Sequence, residues 1–257
     1  MKGMVLHDDK RYAYMAEYLK ARGHRLYEDA QGLDFVVFYF KRDVERELYG
    51  DEFFLKLNKD AKVFSGIRNP YLEEKCTKHK LNYYAMMDDD GVKIKNAVPT
   101  SEGVIAYAIS NSAKTIAGSR ALIIGYGVCG RDLARRFAAL GAEVHALVKG
   151  YSAECSASAD MVMPIYIGDL DIGRYDFVIN TVPMRVLDNK TVQNAQNALI
   201  IDIASAPYGI DMELAQSLNK ASALLPGIPG KYAVRTAGEI LGEYIDYKLS
   251  GGGGDDD

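Results

Sequence analysis

A chain of 257 residues with 48% hydrophobic residues and a formal net charge of −4 has enough apolar material for two modest domains. The basic residues are scattered and the apolar runs stay below the roughly 18 to 20 residues of a membrane span, which excludes a nucleic-acid footprint and a transmembrane segment. We therefore expect a cytoplasmic protein whose partners are small molecules or proteins, including further copies of itself. The three cysteines, Cys76, Cys129 and Cys155, lack the spacing of a disulfide framework or a metal site.

Residues 1–98 alternate strand and helix patterns, which predicts a small parallel sheet with helices on its faces. The predicted strands are 3–6, 34–40, 62–65 and 81–85, and the predicted helices are 12–22 and 70–80. The charged stretch 45–62 is expected to be an exposed helix or loop, and residues 88–91 a solvated acidic turn rather than a metal site. We assign this region as a flavodoxin-like α/β domain that binds substrate or a partner.

Residues 99–118 are assigned as a linker helix between two domains. Pro99 is expected to end the preceding element, because proline disrupts a helix interior. Thr100 or Ser101 would then be the N-cap of an apolar helix that runs to about residue 113, with Glu102 in its first turn.

Residues 119–230 contain a second alternation, which predicts a Rossmann-type doubly wound parallel sheet. The predicted strands are 120–124, 143–148, 161–164, 176–180, 198–203 and 222–225, and the predicted helices are 128–140, 152–158, 190–196 and 211–219. Residues 231–250 are expected to form an amphipathic helix that packs back towards the N-terminal domain, and 251–257 a disordered tail.

A glycine-rich turn lies between the first strand and helix of this second domain. It comprises Gly125, Tyr126, Gly127, Val128, Cys129 and Gly130. In such a turn the first glycine permits the tight bend, the second lets the backbone approach a pyrophosphate, and the third allows close packing of helix on strand. We predict a nucleotide-cofactor site here, the alternative being a purely structural turn. Cys129 would have a lowered pKa at this helix N-terminus and be prone to oxidation.

The end of the next strand, 143–148, indicates which cofactor is preferred. NAD-binding domains usually have a carboxylate there, which binds the ribose hydroxyls. Here Lys149 and Ser152 occupy that place, where a 2′-phosphate would lie. We therefore predict NADP over NAD, although Lys149 is equally compatible with a solvated loop.

Further candidate ligand residues follow the later strands, at the sheet edge where open α/β proteins bind ligands. They are Asn180, Thr181, Val182, Pro183, Ala204 and Ser205. Asn180 and Thr181 are expected to contact the nicotinamide-side ribose or phosphate, a simple turn role for Asn180 being the alternative. The Pro/Gly-rich loop 225–231 either lines the active site or packs between domains.

Five motifs in combination are more specific than the glycine turn alone: residues 96–103 (NAVPTSEG), 125–130 (GYGVCG), 179–183 (INTVP), 202–207 (DIASAP) and 226–231 (PGIPGK). Together they resemble the dipicolinate synthase A subunits of spore-forming bacteria. The family's N-terminal pattern, Gly-Gly-Asp with an arginine, is kept only at Asp9 and Arg11. The resemblance implies a nicotinamide-dependent oxidation of a dihydrodipicolinate-type intermediate to dipicolinate during sporulation, together with the flavoprotein-like B component of dipicolinate synthase.

This implied reaction makes the product ring aromatic, so the protein mainly has to orient a small dicarboxylate substrate and hold both carboxylates. Helix N-termini at residues 100–103 and at Thr236 would contribute to anion binding. The candidate catalytic or substrate residues are Arg11, Thr100, Glu102, Lys231, Arg235 and Thr236, and His7 is the one histidine expected near the substrate.

Two other functions fit parts of the sequence. A hydroxyacid or amino-acid dehydrogenase shares the glycine turn but requires a positioned acid–base residue, which the expected loops lack. A non-catalytic nucleotide-sensing Rossmann protein also shares the turn, but such proteins typically keep the acidic residue on the second strand.

Overall fold

The computed structural model describes residues 1–6, 9–40, 44–195, 197–218 and 221–251. The chain forms two compact units: Met1–Asn96 with Ala233–Asp257, and Ala97–Tyr232. Both units are built on parallel sheets covered by helices, which confirms the predicted α/β class. Within the described ranges, none of the helices is both long and apolar enough to cross a membrane.

The first unit contains a five-stranded sheet of order β2-β1-β3-β4-β5, the flavodoxin-like order. Its strands are β1 (Lys2–Val5), β2 (Arg25–Leu26), β3 (Phe35–Val37), β4 (Lys62–Ser65) and β5 (Asn82–Ala85). Its helices are α1 (Lys10–Ala21), α2 (Asp51–Leu55), α3 (Pro70–His79) and α9 (Val234–Leu249). Strand β2 was not predicted, because two residues are too short to show a period.

Helix α9 belongs to this first unit although it lies at the other end of the sequence. Its Leu241 and Ile245 are buried in one cluster with Tyr12, Met15 and Leu19 of α1. Gly238 permits this close packing, because a Cβ there would lie 2.4 Å from the backbone oxygen of Arg11. The C-terminal helix is therefore part of the core of the N-terminal unit.

The second unit contains a six-stranded sheet of order β11-β10-β9-β6-β7-β8, which is the Rossmann order. Its strands are β6 (Arg120–Ile124), β7 (Glu143–Leu147), β8 (Met163–Ile165), β9 (Phe177–Asn180), β10 (Leu199–Asp202) and β11 (Ser222–Leu224). Its helices are α5 (Val128–Ala139), α6 (Tyr151–Ala159), α7 (Asn189–Asn194) and α8 (Met212–Ser217). Buried apolar clusters on the sheet, including Ala121 and Ile123 on one side and Leu122 and Ile124 on the other, form the core.

Helix α4 (Asp90–Asn111) differs from the predicted linker helix, because Pro99 lies inside it. The helix begins in the acidic segment predicted as a turn, where Asp89 Oδ1 accepts a hydrogen bond of 3.0 Å from Val92 N. Pro99 removes one backbone hydrogen bond from the helix. The helix nevertheless continues, because residues on both sides of Pro99 are buried: Ala97 is 1% exposed and Val104 is 0% exposed. The predicted N-cap at Thr100 or Ser101 is therefore wrong: both residues are in the helix interior.

Candidate functional site

The candidate site lies at the carboxyl edge of the six-stranded sheet. Strands β6, β9 and β10 are neighbours and end at Ile124, Asn180 and Asp202. Since the strands are parallel, the loops that follow them emerge at the same edge. The edge also contains the strand-order reversal between β6 and β9, the position at which doubly wound sheets bind ligands.

The glycine turn has two glycines that are required by packing. Gly125 has a φ of +90°, and a Cβ on it would lie 2.3 Å from Cγ2 of Val182 and 2.8 Å from Oγ1 of Thr181. A Cβ on Gly130 would lie 2.1 Å from the backbone oxygen of Gly125. Both positions therefore exclude a side chain for reasons of fold.

Gly127 is different, because a Cβ there would meet nothing within 4 Å. Its φ of −79° is open to any residue, so the fold does not require glycine. Gly127 is the N-cap of α5 and makes no side-chain capping hydrogen bond. The first amides of α5 thus adjoin open space, an arrangement that fits an anionic phosphate.

Of the other candidates in the turn, Val128 is exposed, Tyr126 is buried and Cys129 is half-buried. The Tyr126 hydroxyl donates a hydrogen bond of 3.0 Å to Asp160 Oδ2, and burial together with this carboxylate raises the pKa of Tyr126. Burial also raises the pKa of the Cys129 thiol. The expectation of a lowered pKa at Cys129 is therefore wrong, because removal from water outweighs the helix N-terminus.

Lys149 lies just beyond the carboxyl end of β7, and Ser152 is in the first turn of α6. Both side chains are exposed. Gly150 is the N-cap of α6 and supplies no side-chain cap. The nearest acidic residue in the following turn is Glu154, whose carboxylate accepts a hydrogen bond from the hydroxyl of Tyr166.

Asn180 is fully buried and its amide is engaged inside the protein. Its Nδ2 donates to the backbone oxygen of Val182 and to Oδ1 of Asp202, both at 2.9 Å. Its Oδ1 accepts from Val182 N at 3.2 Å. The expected direct contact between Asn180 and the cofactor is therefore corrected to a structural turn role.

The neighbouring candidates divide into anchored and exposed residues. Thr181 Oγ1 donates a hydrogen bond of 2.9 Å to the backbone oxygen of Ile124, which ties it to the start of the glycine turn. Val182 is half-buried and Ala204 is buried, whereas Pro183 and Ser205 are exposed.

Asp202, the last residue of β10, was missed by sequence reasoning. It is fully buried, and its carboxylate accepts four hydrogen bonds. The available signal was an acidic residue at the end of an apolar strand, followed by a loop with a small residue, Gly209. Such a side chain is buried only when its acceptor sites are satisfied.

The candidate catalytic residues of the second unit do not form a helix N-terminal site. Thr100 is buried within α4, and Glu102 forms an ion pair of 3.3 Å with Arg136. The predicted anion binding by a helix N-terminus at residues 100–103 is wrong, since α4 begins ten residues earlier, at Asp90. Lys231 is exposed and follows a short 3-10 turn, Ile228–Gly230.

In the first unit, Arg11 is buried at the start of α1. Its Nε donates to both oxygens of Asp9 at 3.0 Å, and its guanidinium carbon lies 4.1 Å from the centre of the Phe40 ring. Arg235 is exposed and pairs with Glu239 at 2.9 Å, and Thr236 is exposed in the first turn of α9. His7 lies outside the described residues, as do residues 252–257 of the predicted tail.

In the part of the chain that the structure describes, no group of three or more His, Cys, Asp or Glu side chains is placed to hold a metal ion. His145, buried in β7, is engaged by Glu143, Arg174 and Tyr175 instead.

Comparison with known proteins supports the resemblance noted from the motifs. No protein-family model matches the chain. The A subunit of dipicolinate synthase from Bacillus subtilis (strain 168) is 36% identical over 193 residues, which is 73% of this chain and 64% of that protein. The chain therefore aligns with somewhat less than two thirds of the length of this curated relative.

Solved structures extend the comparison to nearly the whole chain. The dipicolinate synthase A subunit from Bacillus halodurans superposes with a TM-score of 0.87 at 25% identity, covering 97% of both chains. The apo-structure of D-lactate dehydrogenase from Escherichia coli has a TM-score of 0.63 at 14% identity and covers 98% of both chains, a likeness of fold alone. The resemblance to the dipicolinate synthase A subunits is thus confirmed.

Proposed function

We propose that this chain is a nicotinamide-dependent oxidoreductase that oxidises a dihydrodipicolinate-type intermediate to dipicolinate during sporulation. The resemblance to the dipicolinate synthase A subunits suggests this reaction and a partner that corresponds to the flavoprotein-like B component. One structural observation carries the proposal: Gly127 is a glycine that packing does not require, at an uncapped helix N-terminus. A ligand that approaches the backbone would explain why no side chain is present there.

Cofactor binding in this proposal depends on the three glycines acting differently. Gly125 and Gly130 bring strand β6 and helix α5 close together, and Gly127 leaves the helix amides accessible. The backbone N–H groups and the positive end of α5 would hold the pyrophosphate. Lys149 and Ser152 would contact a 2′-phosphate, which favours NADP over NAD.

The chemistry needs little acid–base assistance. A bound nicotinamide would supply the hydride acceptor. The substrate ring loses one hydride and one proton, which can pass to solvent, and becomes aromatic. The chain's own residues then have to orient the ring and bind its carboxylates.

Arg11 is the residue that we propose for one of these carboxylates. Its Nε donates two hydrogen bonds to the Asp9 carboxylate and its guanidinium lies over the Phe40 ring, so the group is preorganised. Lys231, for which the described residues provide no ion pair, is the second candidate. Thr100 and Glu102 are less suitable, since they lie inside α4.

The proposal is tested by assaying the full chain with a dihydrodipicolinate-type substrate and NAD or NADP, with and without the flavoprotein-like partner. We expect dipicolinate absorbance to rise together with the absorbance of the reduced cofactor. Gly127→Val should keep the fold but reduce turnover and cofactor affinity at least about tenfold, because its side chain fills the space next to the α5 amides. No turnover with either cofactor in the presence of the partner would rule out the substrate, and undiminished cofactor affinity in Gly127→Val would rule out the site.

A further inference from the structure

The carboxylate of Asp202 joins the two ends of a single loop. Its Oδ2 accepts hydrogen bonds from Gly209 N at 2.8 Å and Ile210 N at 2.9 Å. Its Oδ1 accepts from Ala204 N and from Nδ2 of Asn180, both at 2.9 Å. Residues 203–210 therefore form an arch whose two ends are attached to one buried side chain, while its tip, residues 205–207, is exposed.

All four donors to this carboxylate are neutral N–H groups. None of the ion pairs found among the described residues includes Asp202. An ionised carboxylate has about four acceptor sites, so the protein satisfies all of them with three backbone amides and one side-chain amide. A buried acidic group is costly without such partners, so these four hydrogen bonds are what allow Asp202 to be buried.

The same network reaches the glycine turn through Asn180. While Nδ2 of Asn180 binds Asp202, its amide also makes two hydrogen bonds with the backbone of Val182. Val182 in turn packs against Gly125, where a Cβ would lie 2.3 Å from Cγ2 of Val182. Contacts thus run without a break from the arch after β10 to the turn after β6.

Gly209 shows how tightly this network is packed. A Cβ on Gly209 would lie 2.3 Å from Nδ2 of Asn180 and 2.8 Å from the backbone oxygen of Val182. The distance between the loops that follow β9 and β10 is consequently fixed by close contacts. A substitution at Asp202 would therefore displace both loops.

We propose that Asp202 is a positioning residue for the dinucleotide site: it sets the loops 181–183 and 203–210 beside the glycine turn without touching the ligand. This inference rests on the proposed function, which places a nicotinamide dinucleotide at that turn. Only a carboxylate meets the requirement at this position, because an asparagine would point an NH₂ group at N–H donors.

The test compares Asp202→Asn with Asp176→Asn in the full-length protein. Asp176 belongs to the same unit and is half-buried, but it precedes β9 at the opposite sheet edge. It accepts hydrogen bonds from Arg120 N at 2.9 Å and Lys114 Nζ at 2.5 Å. We therefore expect its substitution to lower the free energy of unfolding without affecting the candidate site.

The measurements are the Kd for NADP and for NAD, taken at a temperature where both variants are folded, and hydrogen exchange of the peptide that covers residues 203–210. For Asp202→Asn we expect a Kd raised about tenfold or more, because small displacements of positioning groups have effects of this size, together with faster exchange in this peptide. For Asp176→Asn we expect an unchanged Kd and unchanged exchange in the peptide.

Two different failures can be separated. If the wild-type protein binds neither cofactor, the proposed function fails and the positioning role fails with it. If the wild-type protein binds and Asp202→Asn binds equally well, only the positioning role is overturned. Should Asp202→Asn fail to fold, Asn180→Ala serves instead, since it leaves the three backbone donors of Asp202 in place and removes the bridge to Val182.

Discussion

Glycines of the same motif have different roles at the level of single residues. A Cβ on Gly130 would lie 2.1 Å from a backbone oxygen that cannot move aside easily, whereas a Cβ on Gly127 would meet open space. We expect Gly130→Ala to lower the free energy of unfolding by about 1–3 kcal/mol, as overpacking does. Gly127→Ala should lower the free energy of unfolding by less than about 1 kcal/mol, because glycine is only moderately better than alanine as an N-cap residue.

Urea denaturation of both variants checks this prediction. If Gly127→Ala were the less stable of the two, the assignment of Gly130 to packing and of Gly127 to ligand approach would be contradicted.

Lys149 is the residue on which the cofactor preference depends. It is exposed at the end of β7, with no carboxylate at that strand end. We expect Lys149→Ala to weaken NADP binding about tenfold, the effect of losing one charge-assisted hydrogen bond, and to leave NAD binding unchanged. Calorimetric titration with both cofactors measures this effect, and Lys190→Ala, an exposed lysine in α7, is the control.

The preference itself has a direct test in the wild-type protein. NAD bound at least about tenfold more tightly than NADP, a difference of about 1.4 kcal/mol, would contradict the role assigned to Lys149 and Ser152.

At the level of elements, strand β7 contains a histidine that makes stability depend on pH. Nδ1 of His145 accepts hydrogen bonds of 2.8 Å from Arg174 and from the Tyr175 hydroxyl, while Nε2 lies 3.1 Å from Glu143 Oε1. A neutral ring with its proton on Nε2 satisfies these partners. Burial, with the Arg174 charge nearby, lowers the pKa of His145 below its ordinary value.

A lowered folded-state pKa means that the unfolded chain binds the proton first as pH falls. The contribution of His145 to the free energy of unfolding is fully present above the unfolded pKa of about 6.5. It is lost as the pH falls towards the folded-state pKa. We expect His145→Gln to lose less stability than the wild type between about pH 8 and pH 5. Urea unfolding at the two pH values measures the difference, and an equal loss in both proteins would show that His145 is not responsible.

Helix α4 shows why a local rule failed at the element level. Pro99 has a strong intrinsic tendency to end a helix, and the residues on both sides of it have helical spacing. The structure continues the helix through it, since Ala97, Val104 and Ala108, which share one face of the helix, are all buried. Burial of this stripe offsets the missing hydrogen bond, and a sequence pattern does not contain the size of that gain.

For the whole molecule, the main consequence of the fold is that the first unit is built from both ends of the chain. Gly238 and Gly242 let α9 approach α1, with Gly242 facing the ring of Tyr18. We expect Gly238→Val to lower the melting temperature of the first unit by several degrees, because its side chain would displace the backbone at Arg11.

Scanning calorimetry, with cofactor binding as the readout for the second unit, measures this change. Tyr247→Ala, at a position of α9 that is 56% exposed, is the matched control and should leave the transition in place. A stable first unit in Gly238→Val would show that the close approach of the two helices is not needed.

The sequence by itself determined the α/β class, ten of the eleven strands found among the described residues to within a few positions, and the glycine turn. These features are local: hydrophobic period, strand length and turn residues are determined within short stretches of chain. It also led to the prediction that Lys149 and Ser152 contact the cofactor, because strand ends have a fixed place in a Rossmann sheet.

Only the tertiary structure decided which of the predicted residues have their polar groups engaged inside the protein. Both Asn180 and Arg11 were predicted ligand residues, but Asn180 is fully buried and bound to Asp202, whereas Arg11 is fixed beside Asp9 in an arrangement that suits a substrate carboxylate. The continuation of α4 through Pro99, and the joining of Asp202 to residues eight positions away in the chain, depend on burial and on contacts across the fold. Such contacts form between segments that the sequence separates, so no local pattern contains them.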